Sequence, residues 1–356
     1  MRILEIGGGP FVSSYAPAIS DFYCTFHGCD PAVALTRRRI LALRKRLRAG
    51  EYDLVVYHIT AKATAPWHRG YVSLGALGGT VAASLLKFQK IAWHYFHWVL
   101  RDCATPLIVI DTQDAPRLTV SESYWLDRSQ FWFMRELPPN HMNLFLGMTR
   151  RCGDVVNIQR NPLLRRNFAK IEPFSLGYFA EEMRDLKRVE PAGKIHDVFY
   201  AGKSHTSSVR ERGLEELRAL KAAGVRVYIP ETRLSRADFY QACGQSWLVW
   251  SPEGQGWDCY RHYEALMSYS VPVMNYPTIE KLAPLLDGEH CFYYRPEAGG
   301  LTEVVQRALK DKSALARIAE QGRAHALQHH ARSQLTRHVL AKAGMLAQAE
   351  PHLTEG

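Results

Sequence analysis

Two nearly continuous apolar runs, YDLVVYHI at 52–59 and PLIVIDTQD at 106–114, constrain the fold of this chain more than any other feature. A strand that is apolar at successive positions is buried on both faces, which happens in parallel sheets covered by helices. RILEIG at 2–7 reads as a strand ahead of them, and 32–48 as a basic helix with Ile40, Leu41, Leu43 and Leu47 as its apolar positions. The uncharged stretch from about 72 to 100 reads as a further helix. Strand, helix, strand, helix, strand is a doubly wound α/β pattern, whose ligands gather at the carboxyl ends of the strands.

The pattern then restarts. After an aromatic-rich, less regular middle from 121 to 174, containing FWFMRELPPN, CGDVVNI and IEPFSLG, the charged segment 177–194 reads as a linker. Strands are expected at 197–203, 225–231, 247–254 and 271–277, and helices at 208–223, 235–246, 258–270, 301–311 and 312–328. Ser235 is the expected N-cap of the second of these helices. At 356 residues the chain suits two such halves. The expected domains are 1–190, 191–330, and a helix or tail at 331–356 that could pack back on the first.

The formal net charge is +10, from 45 Lys and Arg against 35 Asp and Glu, which favours anionic partners. The positive charge comes in short bursts, such as Arg37–Arg39, Arg44–Arg46 and Arg165–Arg166, that suit solvated helix faces. No basic stripe interleaved with aromatics supports a nucleic-acid partner. The seven cysteines, at 24, 29, 103, 152, 243, 259 and 291, form no CxxC pair, so neither a zinc site nor a disulfide framework is indicated. With no charged-then-apolar leader at its start, the chain is expected to be cytoplasmic. The run GYVSLGALGGTVAASLL at 70–86 carries no charge but falls slightly short of a membrane span. It is read as a buried helix; a membrane-docking face for a lipid-linked substrate, at the inner membrane surface, is the alternative.

SPEGQGWDCYRHYEALMSYSVPV, at 251–273, carries the chemistry. A strand runs into a loop bearing Gly254 and Gly256 and then into a helix, whose first amides and dipole favour an anion. Arg261 and Glu264 are three residues apart and project from one helix face. The guanidinium suits a diphosphate and the carboxylate suits the paired hydroxyls of a ribose.

This segment and its continuation to FYY at 292–294 resemble the donor-binding part of GT-B glycosyltransferases, particularly the group-1-like and spore-maturation-type enzymes. Their G-x-G-W-D-x-x-R-x-x-E pattern is met by Gly254, Gly256, Trp257, Asp258, Arg261 and Glu264, followed by Pro272, Asp287, Gly288 and Tyr294. Ser270 stands where glycine is usual. DVFYAGKSHTSSVRERGLEELRAL at 197–220 is similar to the same family's first donor-domain strand, glycine loop and Arg-led helix, and 301–330 to its closing helices. The resemblance is strong over about 195–330. It implies two Rossmann-like doubly wound domains facing a central cleft, with a nucleotide sugar held by the second. The implied donor-binding residues are Gly202, Lys203, Arg210, Gly254, Gly256, Asp258, Tyr260, Arg261 and Glu264. The acceptor, a glycan, lipid-linked or protein hydroxyl, falls to the first domain, with Gly7, Gly8 and Gly9, its first strand-to-helix turn, as the cleft loop.

Asp111-Thr-Gln-Asp114 lacks the Asp-x-Asp spacing that metal-dependent sugar transferases need, and helix amides with Arg261 and Arg210 can neutralise a leaving diphosphate. No metal and no cofactor beyond the nucleotide-sugar substrate are expected. An inverting enzyme needs a base, and Asp111, Asp114, His58 and Glu136 are the candidates, each equally readable as a structural cap. A retaining enzyme needs none. The alternative function is an S-adenosylmethionine-dependent methyltransferase, since ILEIGGGP fits that signature at Glu5, Gly7 and Gly9. Its last glycine falls on Phe11, and no acidic strand end follows at the required spacing.

Overall fold

The computed structural model describes residues 1–25, 29–59, 99–100, 103–118, 122–148, 166–178, 192–203 and 206–354. Helix 72–100, CGDVVNI and most of the 177–194 linker lie largely or wholly outside them. The chain divides into two compact units, 1–173 with 336–355, and 174–335.

The first unit holds a parallel sheet of β1 (Ile3–Gly7), β2 (Ser20–Cys24), β3 (Leu54–Ile59), β4 (Leu107–Asp111), β5 (Phe131–Met134) and β6 (Ile171–Pro173). The strand order is β2-β1-β3-β4-β5-β6. Every residue of β1, β3 and β4 is buried, as the apolar runs require. Alternate residues serve opposite faces. Val55, Tyr57, Leu107 and Val109 join one core with Leu43 and Leu47 of α1 (Arg37–Arg48) and Leu126 of α2 (Ser123–Arg128), while Val56, Ile108 and Ile110 are buried away from it. α1 starts later than expected, at a Thr36 N-cap that accepts the Arg39 N–H. Ile40, Leu43 and Leu47 are buried as expected, but Leu41 is 55% exposed.

The structure corrects two readings of the aromatic and glycine-rich segments. FWFM and IEP, expected to be less regular, are the strands β5 and β6, with β6 at the sheet's edge. The three glycines do not open a helix. The chain runs through bends and one 3-10 turn, Pro17–Ile19, straight into β2. The Glu5 carboxylate replaces the helix as the loop's organiser: it accepts the N–H groups of Phe11 and Ser13, each at 2.7 Å, and of Val12 at 3.2 Å. Gly7 is dictated by space, since a Cβ there would meet the backbone carbonyl of His58 on the neighbouring strand.

The second unit repeats the plan. β7 (His196–Phe199), β8 (Val227–Tyr228), β9 (Ser246–Trp250), β10 (Val271–Asn275) and β11 (Phe292–Tyr294) form a parallel sheet ordered β11-β10-β9-β7-β8. Helices α3 (Ser208–Ala222), α6 (Gly300–Ala308) and α7 (Lys312–His329) cover one face. On the other lie α4 (Arg236–Gly244) and α5 (Tyr260–Met267). Leu248 and Trp250 of β9 go to the first face and Val249 to the second, the period-2 alternation of a doubly covered strand. Ser235 caps α4 by accepting the Asp238 N–H, as expected.

The junction falls earlier than residue 190, because Leu176 and Tyr178 pack into the second unit's core and Ser175 Oγ meets Nδ1 of His330 at 3.1 Å. Helix α8 (Arg332–Lys342) leads back to the first unit, where Lys342 pairs with Glu172 at 2.7 Å and Thr354 donates its N–H to Tyr15. Ser270 does not carry the unusual backbone at the end of α5; Tyr269 does, with φ of 56°. Lys194 holds that turn, its ammonium donating to the carbonyls of Gly244 and Ser246 at 2.9 Å and of Tyr269 at 2.5 Å.

Candidate functional site

In an open parallel sheet the crevice for ligands opens where strand order reverses, outside the carboxyl ends. In the second unit that point lies between β7 and β9. The loops that follow these strands carry Gly202 and Lys203 on one side, Gly254 and Gly256 on the other, and α5 begins directly after the second loop.

Arg210 and Arg261 play different parts there. Arg210, on the first turn of α3, is buried; its Nε donates to the Glu253 carbonyl at 2.7 Å and its Nη1 to the Lys203 carbonyl at 3.3 Å. It ties the two loops together, with Gly254 lying against its guanidinium. Arg261 stacks over the Tyr200 ring at 5.2 Å, a cation–π arrangement. Its Nε and Nη1 are buried, and among the described residues neither has a hydrogen-bond acceptor. A buried charged donor left unsatisfied is costly, and an anion could satisfy this one. Gly202 makes room for it: a Cβ there would stand 2.6 Å from Arg261 Nη2. Glu264, one turn along α5, is half-buried.

Several site residues have internal roles. Asp258 is buried; it accepts the Leu176 N–H at 2.8 Å, the Tyr263 hydroxyl at 2.7 Å and the Lys281 ammonium at 2.5 Å. Its carboxylate fixes the start of α5. Tyr260 opens α5 and packs beside the core formed by Tyr263 and Leu266. Lys203 is exposed, and its carbonyl accepts from Tyr200 as well as Arg210. Gly254 donates its N–H to the Gly256 carbonyl at 2.8 Å, closing the loop tip.

The residues that shape this loop escaped sequence reading. His262 Nε2 lies 3.0 Å from the Trp257 carbonyl, which can only accept, so Nε2 carries the proton and Nδ1 accepts from Ser251 Oγ at 2.7 Å. Burial pushes this imidazole down to about 3 and keeps it neutral. Asn275, at the end of β10, accepts the Glu253 N–H and donates to the Glu253 carboxylate, both at 2.9 Å. The one legible signal was placement: each lies at the carboxyl end of a strand or on the first turn of α5.

In the first unit the reversal falls between β1 and β3. His58 is the penultimate residue of β3 there; its Nδ1 lies 3.0 Å from the Gly9 carbonyl, and its Nε2 lies 3.1 Å from Thr112 Oγ1. The structure therefore brings Gly7, Gly9 and His58 together. Gly8 lies alongside, its carbonyl 3.9 Å from Cys24 Sγ. Asp111, at the end of β4, is buried and accepts the Gln113 N–H at 3.0 Å; burial, reinforced by the nearby Glu122 charge, drives its carboxyl up to about 7. Arg135 claims the other two carboxylates, reaching Asp114 at 2.7 Å and Glu136 at 3.2 Å, and it also donates to the Thr112 carbonyl. Among the described residues no group of three or more His, Cys, Asp or Glu side chains is arranged to hold a metal ion, and no helix is long and apolar enough to cross a membrane.

No protein-family model and no curated protein matches this sequence. Solved structures do match its fold. A glycosyltransferase from Rickettsia africae ESF-5 is similar over 97% of this chain and 98% of its own, with TM-score 0.53 and 9% identity. HepE from Anabaena, in complex with UDP-glucose, covers 97% and 99%, with TM-score 0.52 and 11% identity. An alpha-glucosyltransferase in complex with UDP and a mismatched 13-mer DNA covers 96% and 100%, with TM-score 0.54 and 10% identity. The methyltransferase alternative gains no support, and the loop N–H groups at Phe11–Ser13 are taken up by Glu5. The shared architecture, two successive parallel α/β sheets, is the GT-B glycosyltransferase fold.

Proposed function

We propose that the chain is a glycosyltransferase that moves a sugar from a nucleoside-diphosphate donor to an acceptor hydroxyl of a glycan, lipid-linked or protein molecule, without a metal ion. The observation that carries this reading is Arg261, a half-buried side chain whose Nε and Nη1 are buried without an acceptor among the described residues and whose Nη2 faces the Gly202 loop at the strand-order reversal. Leaving-group charge developing on a diphosphate is stabilised by donors fixed in advance, which reorganise little during reaction. Arg261 binds the diphosphate, Gly202 lets it approach, and Glu264 accepts from the ribose hydroxyls. Arg210, Asp258 and His262 hold the surrounding loops. Asp111, at the carboxyl end of β4 where ligands of such sheets gather, is the favoured candidate for the acceptor base, and burial raises its carboxyl to about 7, a range suited to a general base.

Turnover of nucleotide sugars by Arg261→Ala and Glu264→Ala tests the assignment. Each variant should lose at least about tenfold in kcat/KM, the scale of a lost charge-assisted contact. Wild-type kinetics in both would remove the basis of the site. Wild-type activity should persist in EDTA; loss in chelator with recovery in magnesium or manganese would overturn the metal-free mechanism.

A further inference from the structure

α1 is the most cationic long helix of the described residues. Its twelve residues, RRRILALRKRLR, include seven Lys or Arg and no acid. By contrast α3, with fifteen residues, balances four basic side chains with three glutamates. Three consecutive arginines occupy the first turn of α1, where the helix dipole disfavours positive charge. Local helix stability therefore does not account for them, and violations of local preference concentrate where function requires them.

Part of the charge is used internally. Arg39 donates to the carbonyls of Pro31 and Ala34, and Arg46 pairs with Asp21 and Glu51. The exposed side of the helix is ordered. Successive residues turn by about 100°, so Arg38, Leu41, Ala42, Lys45 and Arg48 share a stripe about 120° wide, opposite the buried Ile40, Leu43 and Leu47. All five are exposed. Leu41, which a core-facing pattern would bury, stands 55% exposed in the middle of the cations.

From this stripe we infer that α1 is a docking surface for an anionic lipid bilayer. Cations flanking a central aliphatic group fit a headgroup layer, where each Lys or Arg near the surface strengthens binding about fivefold. A protruding leucine gains contact with acyl chains that a phosphate backbone or an acidic protein surface does not offer. The apolar face of α1 is already buried in the unit's core, so the helix lies on the bilayer and does not enter it. This inference is independent of the donor-site reading.

Co-sedimentation of the full chain with vesicles tests it, comparing phosphatidylcholine alone with an equal mixture of phosphatidylcholine and phosphatidylglycerol. The chain should sediment with the anionic vesicles at low salt, be released at high salt, and ignore neutral vesicles. Arg38→Gln with Lys45→Gln should weaken binding about 25-fold, by the same per-residue factor. The exposed control pair on α3, Arg218→Gln with Lys221→Gln, removes the same charge and should leave binding unchanged. Equal sedimentation with neutral vesicles, equal loss in the two variant pairs, or duplex DNA binding as strongly as the anionic vesicles would each overturn the proposal.

Discussion

Asp111 shows how one buried carboxyl links stability to pH. With its proton affinity raised from 3.8 to about 7, the folded state holds a proton that the unfolded state has released between those values. Folding stability attributable to this group therefore falls as pH rises from about 4 to about 7, by at most about 4 kcal/mol. Asp111→Asn removes the ionisation, so denaturant unfolding should find the variant more stable than wild type at pH 8 and its stability flatter across the window. In turnover the same ionisation should appear as a rise in kcat/KM centred near pH 7, and Asp111→Asn should lose at least about a hundredfold. His262 titrates in the opposite sense. Its proton affinity is lowered from 6.5 to about 3, so its contribution is present above pH 6.5 and lost as pH falls toward 3. At this scale, residues placed by a local motif were legible, Arg261, Glu264 and the loop glycines among them. Arg135, Asn275 and Lys281 were not, because their partners are set by tertiary packing. Lys281, for example, meets Asp258 from 23 residues away.

At the scale of elements, the pinning of α5 matters most. Lys281→Met leaves Asp258 as a buried charge without its cation, which should cost about 3–5 kcal/mol in denaturant unfolding. Adding Asp258→Asn should recover part of that loss, because the remaining group is neutral. Gly7→Ala forces a methyl against the His58 carbonyl and should cost about 1–3 kcal/mol, read as a lowered melting temperature. Strands with long apolar runs, and helices with capping residues such as Ser235, were legible because those patterns are intrinsic to the segment. β5, β6 and β11 were not. They are three or four residues long, and their neighbours in the sheet make them strands. The connection from β1 to β2 looked like a helix entry because glycines commonly precede one. FVSSYAPAIS lacks helical periodicity, and Glu5 satisfies the N–H groups that a helix start would present.

At the scale of the whole molecule, the two sheets follow one plan. Each begins with its second strand outside its first and then adds strands on the other side, and among the described residues the first carries one strand more. The restart of the strand–helix pattern made two halves legible. The junctions were less so, because Tyr178 joins its unit through a bridge to Ala331, 153 residues on. The central claim is that the second unit grips a nucleoside diphosphate through Arg261. Calorimetric titration of nucleoside diphosphates in EDTA, with the wild-type chain and Arg261→Ala side by side, tests it most directly. At least one diphosphate should bind the wild type saturably, about tenfold or more tighter than it binds the variant. Equal affinity in the two proteins, or no binding of any diphosphate to the wild type, would contradict it.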